Sequence, residues 1–208
     1  EKSKNALLKK TKIPLQLTLD SDIQFLVRKE LLKFNNIFQT KGSAAILMNV
    51  DNGNIISLVS LPDFNPNKRE NIKDKNYINK ITKGVYELGS VFKTFTLAAA
   101  LDENLIDVDT KFYDLEKSIK CGKNTIREYD KKIPKDLTAE EILIRSGNIG
   151  SVRIGQKIGI EKFKSFLTKI NVINKIEFDI DEIGVPIPFK WGKCKLATTS
   201  FGHGITTT

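Results

Sequence analysis

Two short segments contain residues whose types and spacing could carry out nucleophilic chemistry, and the first is Ser90-Val91-Phe92-Lys93. If Ser90 begins a helix, Lys93 lies close to one turn further on, so both side chains emerge on the same face. A serine hydroxyl needs a neighbouring base, and a lysine can serve only when burial or nearby positive charge makes its neutral form accessible. The spacing allows a serine nucleophile with a lysine base, but by itself it favours an ordinary helix start.

The second segment is Ser146-Gly147-Asn148, which lies where a predicted helix breaks. A hydroxyl and an amide at such a break could relay a proton to a leaving amine and hold a peptide carbonyl in place. The alternative is a helix C-terminus at which Gly147 takes the left-handed conformation and Asn148 bonds the nearby backbone. Taken alone, the three residues favour this structural alternative.

Other kinds of site receive little support from the sequence. His203 is the only histidine, Gly202-His203-Gly204 predicts a tight turn, and no G-x-S-x-G motif occurs, so a histidine-based hydrolase is not favoured. No metalloprotease or EF-hand motif is present, and we expect neither a metal nor a cofactor. Cys121 and Cys194 form no C-x-x-C pair, so a zinc or redox site is not indicated, while a single disulfide stays possible.

The formal charge of +9 raises the question of a nucleic-acid partner. The lysines are spread along the chain and interleaved with acids, which favours a solvated basic surface, and we expect no nucleic acid. No apolar run is long enough to span a membrane, and the N-terminus lacks the layout of a signal peptide.

Periodicity and turn residues predict an α+β chain. The alternation over Leu15–Leu19 predicts a strand, and Ser21 with Gln24 has the spacing of a capping box that opens a helix as far as Phe38. Asn52-Gly53 predicts a hairpin whose two turn residues have positive φ. Strands are predicted over 44–50 and 55–60, and a loop with some helix over 67–83. Helices are predicted over 90–103, 152–158, 160–170 and 196–200, with Gly159 as the break between the second and the third. A further short helix is predicted from Thr138, with its capping partner Glu141, through Ile144.

The context of the two candidate segments resembles one protein family. Residues Val85–Leu101 closely resemble the active-site segment of class B penicillin-binding proteins, the monofunctional peptidoglycan D,D-transpeptidases, and are most like the division-specific (septal) type. Ala45–Pro66 is similar to the family's first sheet hairpin, and Thr138–Gly150 is similar to its S-x-N segment. Ala197–Ile205 resembles the stretch that introduces its late helix, so the likeness extends over residues 15–208 in one order.

The resemblance implies a fold and a set of site residues. The fold is the penicillin-binding protein transpeptidase/β-lactamase-like one, an antiparallel sheet with an all-helical lobe and the active site in the cleft between them. Ser90 is implied as the nucleophile, Lys93 as its general base, and Ser146 and Asn148 as the second wall of the cleft.

The implied reaction is the cross-linking of peptidoglycan stem peptides through an acyl-serine intermediate. The serine attacks the penultimate D-alanine carbonyl, the terminal D-alanine leaves, and an amine of a neighbouring strand takes the acyl group. The resemblance further implies stable acylation by β-lactams, a membrane glycosyltransferase and division proteins as partners, and a place on the periplasmic face of the bacterial cytoplasmic membrane.

Two departures from the family pattern are visible. Leu88 stands where the family usually has proline, and the third family motif, K-T-G or K-S-G, does not occur after the nucleophile. Lys41-Gly42 and Lys83-Gly84 both precede Ser90. We expect residues 1–14 to be a lead-in or pedestal remnant and residues 15–208 to be the N-terminal portion of the transpeptidase domain. This piece would lack the membrane anchor and the K-T-G strand, and would be catalytically impaired.

Two alternatives stay open from the sequence. A β-lactamase or β-lactam sensor would share the acyl-serine chemistry, but a β-lactamase must also activate a water, and no residue here can be assigned to that role. A non-catalytic scaffold of the division machinery would bind partners without reacting.

Overall fold

The computed structural model describes residues 16–65, 67, 68, 77–178 and 182–208. The chain divides into two compact units, one ending at Ile81 and one beginning at Thr82. Helices are combined with antiparallel strand pairs, so the predicted α+β class is confirmed. Within the described ranges, no helix has both the length and the apolar character that a membrane span requires. The predicted lead-in over residues 1–14 lies outside them, and the assignment of 15–208 to one domain stays a prediction.

The first unit contains helix α1 (Ser21–Phe38) and an antiparallel hairpin of β1 (Ser43–Met48) and β2 (Ile55–Leu61). The predicted end of α1 is confirmed, but the predicted capping box is wrong. The Asp20 carboxylate, one residue before the helix, accepts the backbone N–H groups of Asp22 and Ile23. Gln24 is thereby free to bond β2, where its side chain donates to the Leu58 carbonyl and accepts from the Leu58 N–H at 2.8 and 2.9 Å.

The predicted strand over residues 15–19 is wrong for its described part, residues 16–19, which have no regular secondary structure. The Thr18 hydroxyl donates to the Ile55 carbonyl at 2.6 Å, and the Asp20 N–H donates to the Ile56 carbonyl at 2.9 Å. One side chain and one backbone N–H therefore bond the start of β2 without forming a third strand.

The predicted hairpin is confirmed, but its turn is longer than two residues. Gly53 has a φ of 74°, whereas Asn52 keeps a negative φ, contrary to the prediction. The Asn49 side chain accepts the Asp51 N–H, and the Asn52 side chain accepts the Asn54 N–H. Because asparagine side chains bond the backbone locally, they stabilise a wider loop than the Asn-Gly signal alone implies.

The second unit is mainly helical. Its helices are α2 (Lys93–Asp102), α3 (Ala139–Ile144), α4 (Asn148–Ile158), α5 (Ile160–Lys169) and α6 (Lys193–Thr199). Its strands form the antiparallel pairs β3–β6 (Lys111–Phe112 with Leu137–Thr138) and β4–β5 (Ser118–Cys121 with Asn124–Arg127).

Of the predicted loop over residues 67–83, the described residues 67, 68 and 77–83 form turns and bends without a regular α-helix.

The helices of the second unit pack around one apolar core. Phe92, Ile149 and Phe163 are almost completely buried, and the ring of Phe163 contacts those of Phe92 and Trp191 edge to face. The predicted capping box is present, because Thr138 accepts the Glu141 N–H while the Glu141 carboxylate accepts the Thr138 N–H. The predicted break at Gly159 is also confirmed.

Two helix starts differ from the predictions. The segment predicted as one helix from Ser90 opens with a short 3₁₀ turn, Gly89–Phe92, before α2 begins at Lys93. Helix α4 begins at Asn148 and not at Val152, because a carboxylate from elsewhere in the fold caps its first turn.

Cys121 and Cys194 form a disulfide with their Cα atoms 5.3 Å apart. The bond joins the end of β4 to α6. The sequence had left this pairing open, and the structure decides it.

Candidate active site

The ammonium of Lys93 is the centre of a buried polar cluster. Lys93 is the first residue of α2 and only 2% exposed. Its Nζ donates to the Ser146 carbonyl at 2.5 Å, to the Ser146 hydroxyl at 2.9 Å and to the Asn148 Oδ1 at 2.8 Å. An ammonium has three N–H groups, so these three acceptors satisfy it completely.

The backbone around Ser146 is shaped to reach this lysine. Ser146 has a φ of 52°, a left-handed conformation that is uncommon outside glycine. Gly147 is extended and serves as the N-cap of α4, so the left-handed Gly147 of the structural alternative is wrong. A helix does end just before it, at Ile144, and the Asn148 side chain does bond a backbone carbonyl, that of Arg127. The left-handed turn lets both the carbonyl and the hydroxyl of Ser146 contact the Lys93 ammonium.

The burial of Lys93 changes its acid–base chemistry. Desolvation lowers the pKa of the Lys93 ammonium from 10.5 to about 8, and the negative charge of Glu128 opposes part of that shift. A neutral amine is therefore accessible near physiological pH, which an exposed lysine does not offer. A neutral Lys93 would keep two N–H donors and gain a lone pair that can accept a proton.

Ser90 lies on the same side of the chain as Lys93. It is in the 3₁₀ turn, where side chains three residues apart eclipse one another, and its carbonyl accepts the Lys93 backbone N–H. Ser90 is exposed. Among the described residues, no hydrogen bond joins its hydroxyl to Lys93, whose Nζ donates to Ser146 and Asn148. An exposed hydroxyl three residues before an amine of lowered pKa could act as a nucleophile if that amine takes its proton.

An open cavity of about 720 Å³ lies beside Arg127, and none of Ser90, Lys93, Ser146 and Asn148 lines it. Its polar lining includes Arg127, Lys195 and His203, and its apolar lining includes Ile126 and Phe201. The Arg127 carbonyl accepts the Asn148 Nδ2, so the rim of the cavity contacts the cluster directly. Cavities of this size and mixed lining accommodate organic ligands in many proteins.

The remaining candidates do not join the cluster. His203 lies in the predicted turn between Gly202 and Gly204, and its Nδ1 is 3.2 Å from the Glu87 carboxylate. In the part of the chain that the structure describes, no group of histidine, cysteine, aspartate or glutamate side chains could hold a metal ion.

Comparison with known families identifies the fold that holds this site. Residues 43–208 match the family model described as the penicillin binding protein transpeptidase domain. The chain belongs to this family. Its fold is the transpeptidase fold that the resemblance implied. The family match and the curated relatives support the class B type.

Curated relatives and solved structures agree with this assignment. The chain is 32% identical over 193 residues to the probable peptidoglycan D,D-transpeptidase FtsI of Caulobacter vibrioides, covering 92% of this chain and 32% of the relative. It is 30% identical over 201 residues to the stage V sporulation protein D of Bacillus subtilis, covering 94% and 31%. This transpeptidase-family chain therefore spans about a third of the length of these relatives.

The fold is shared with a peptidoglycan glycosyltransferase from Burkholderia ambifaria, at a TM-score of 0.79 and 23% identity over 93% of this chain and 57% of that one. The transpeptidase domain of penicillin-binding protein 3 from Burkholderia pseudomallei matches at a TM-score of 0.77 and 24% identity, over 92% and 54%.

Glu128 of this transpeptidase-family chain contacts the site, which the sequence did not predict. Its two carboxylate oxygens accept the N–H groups of Asn148 and Ile149. One signal was present in the sequence. Gly147 can offer no side chain to cap α4, so the helix needs an acceptor from elsewhere, but sequence alone does not say which one.

Gly202 approaches the 3₁₀ turn so closely that it has no room for a side chain. Its φ is 79°, and a Cβ atom there would lie 2.0 Å from the Gly89 carbonyl oxygen and 2.6 Å from the Phe92 Cβ. Any larger residue would therefore push on the turn that carries Ser90.

We expect Gly202→Ala to lower the free energy of unfolding by about 1–3 kcal/mol, because the new Cβ overlaps the backbone of the 3₁₀ turn. Urea denaturation measures the effect. Gly192→Ala is the matched control, because φ is −178° there and no atom lies within 4 Å of the new Cβ. Equal behaviour of the two variants would contradict the prediction.

Proposed function

We propose that this chain carries the nucleophile of a peptidoglycan D,D-transpeptidase, a serine acyltransferase that cross-links stem peptides in bacterial cell-wall synthesis. One observation carries the proposal. Lys93, buried and with its pKa lowered to about 8, contacts Ser146 and Asn148 and follows the exposed Ser90 by three residues. The family assignment supports the same chemistry.

In the acylation step, the Ser90 Oγ attacks the penultimate D-alanine carbonyl of a stem peptide. The hydroxyl proton passes to the neutral Lys93 Nζ, which becomes an ammonium. As the peptide bond breaks, a proton is returned to the departing D-alanine nitrogen, with the Ser146 hydroxyl as a relay between Lys93 and the leaving group. The products are an acyl ester on Ser90, free D-alanine and a neutral Lys93.

In the second step, an amine of a neighbouring strand attacks the ester. Its proton moves to Lys93 and then to the Ser90 Oγ as the ester bond breaks, so the serine is regenerated. The Asn148 amide holds the Lys93 ammonium through its Oδ1, and its side chain is fixed by the Arg127 carbonyl. The cavity beside Arg127 is suited to hold part of the peptide.

The biological setting is proposed from the relatives. A division-specific role is favoured by the similarity to a protein named FtsI. Such a role would place the active site on the periplasmic face of the cytoplasmic membrane, with a membrane glycosyltransferase and division proteins as partners. β-Lactams would acylate Ser90 because their ring mimics the D-alanyl-D-alanine end.

The test is the intact mass of the protein after incubation with benzylpenicillin. Because this chain spans about a third of its curated relatives, the experiment uses the full natural protein. We expect a persistent adduct of one drug molecule that does not form in Ser90→Ala. Rapid release of hydrolysed drug would point to a β-lactamase, and an unchanged mass in a folded protein would leave only a non-catalytic scaffold.

The lowered pKa of Lys93 leads to a pH prediction. The base form is the neutral amine, whose fraction falls about tenfold for each pH unit below the pKa. We therefore expect the acylation rate constant to rise with pH, with a midpoint near 8, and to level off above it. Stopped-flow labelling with a fluorescent penicillin between about pH 6 and pH 10 measures the curve, with circular dichroism at each pH as the control for folding. A rate that is flat across this range would show that Lys93 is not the base.

A further inference from the structure

The first turn of α4 depends on a carboxylate that comes from outside the helix. Its N-cap, Gly147, makes no side-chain hydrogen bond. The Glu128 Oε2 accepts the Asn148 N–H at 2.7 Å, and the Oε1 accepts the Ile149 N–H at 2.8 Å. Both oxygens of one side chain thus satisfy N–H groups at the positive end of the helix, where a negative charge is stabilising.

The same strand end also orients the Asn148 side chain. The Arg127 carbonyl accepts the Asn148 Nδ2 at 2.9 Å, which leaves Oδ1 to face the Lys93 ammonium at 2.8 Å. Arg127, the last residue of β5, and Glu128, which follows it, therefore hold Asn148 by its side chain and by its backbone. A shift of Glu128 would move both bonds, because the two residues share a peptide unit.

Glu128 also influences Lys93 through its charge. Among the described residues, Glu128 is the charged group that raises the pKa of Lys93 against the effect of burial. Loss of the negative charge would lower the pKa of Lys93 further. A purely mechanical support of the helix would leave that pKa where it is.

We propose that Glu128 is a positioning residue of the active site, which fixes the first turn of α4 and so holds Asn148 against Lys93. The inference rests on the proposed function, because Lys93 and Asn148 are assigned their roles there. Glu128 is not a catalytic residue, since its carboxylate is used on two backbone N–H groups and has no contact with the Ser90 hydroxyl among the described residues.

The experiment compares Glu128→Gln with Glu116→Gln in the full natural protein. Glutamine keeps one acceptor oxygen but replaces the other with an NH₂ donor, so one of the two N–H groups loses its partner. Glu116 is the matched control, because its carboxylate contacts Arg153 of α4 and, among the described residues, makes no hydrogen bond to Lys93, Ser146 or Asn148. Both substitutions remove one negative charge and keep the side-chain size.

We expect Glu128→Gln to lower the rate constant for acylation of Ser90 by benzylpenicillin by about 10- to 100-fold, because the misplaced Asn148 no longer holds Lys93 in position. The acidic limb of the pH–rate profile should also move to lower pH, since the charge that raises the pKa of Lys93 is gone. Glu116→Gln should keep the rate and the profile of the unsubstituted protein.

Amide hydrogen exchange gives a readout that is independent of activity. Exchange at the Asn148 and Ile149 N–H groups should be at least about tenfold faster in Glu128→Gln and unchanged in Glu116→Gln. A reduced rate with an unshifted pH profile would reduce Glu128 to a structural support and overturn the inference. So would normal acylation with normal exchange. If the unsubstituted protein is not acylated at Ser90, the proposed function itself is wrong. Faster exchange in Glu128→Gln would then show only that Glu128 caps α4.

Discussion

Replacement of Lys93 by alanine is expected to lower the rate constant for acylation of Ser90 by about 10²- to 10⁴-fold, the usual contribution of a general base. The reason is that the Lys93 amine is buried, has a lowered pKa and contacts both Ser146 and Asn148. Stopped-flow labelling with a fluorescent penicillin at about pH 8 measures the loss. An acylation rate within about threefold of the unsubstituted protein would remove Lys93 from the mechanism.

A second variant, with its own control, separates the role of Lys93 as a base from its role as a hydrogen-bond donor. Lys93→Arg keeps the positive charge and the donors, but a guanidinium does not lose its proton in proteins, so acylation should still be severely slowed. Lys117→Ala is the matched control, because the Lys117 ammonium also donates to backbone carbonyls, those of Lys131 and Ile133, without contacting the site. It should acylate normally.

Removal of the disulfide should have the largest effect on stability. The bond between Cys121 and Cys194 closes a loop of 73 residues. By restricting the unfolded chain, a cross-link around such a loop adds about 4 kcal/mol to the free energy of unfolding. The double variant Cys121→Ser with Cys194→Ser should be less stable by this amount. Urea denaturation under oxidising conditions measures the difference.

The control for the disulfide prediction is the same titration with reductant. Reductant should destabilise the unsubstituted protein and leave the double serine variant unchanged. A difference below about 1 kcal/mol between the two proteins without reductant would show that the bond contributes little. Cys121 is the last residue of β4, and its partner strand β5 ends at Arg127, directly before Glu128. Because Arg127 contacts Asn148, a weakened β4–β5 hairpin should also slow the acylation of Ser90.

Local interactions explain which predictions from the sequence succeeded. The helix end at Phe38, the hairpin around Gly53 and the capping box of Thr138 with Glu141 depend on neighbours within a few residues. The S-x-x-K and S-x-N segments were also recognisable, because their residue types and their order along the chain identify the family. For these features, composition and spacing contain the necessary information.

Predictions failed where another group took the predicted place, whether it was a neighbour or a distant residue. The adjacent Asp20 caps α1 in place of Ser21, and the Gln24 side chain bonds Leu58 of β2 instead of its own helix. Ser146, and not Gly147, took the left-handed conformation, which is stabilised by the bonds from Lys93 to its carbonyl and hydroxyl. For Gln24 and Ser146, a contact with a residue far away in sequence outweighed the local preference.

The sequence by itself determined the family, the α+β class and the identity of Ser90, Lys93, Ser146 and Asn148 as candidates. Only the tertiary structure brought the last three into contact, paired Cys121 with Cys194 and revealed Glu128 at the start of α4. The physical reason is that desolvation and hydrogen bonding depend on which groups are neighbours in space. The pKa of Lys93 is lowered by burial that the folded core creates, and no spacing of residues along the chain contains that information.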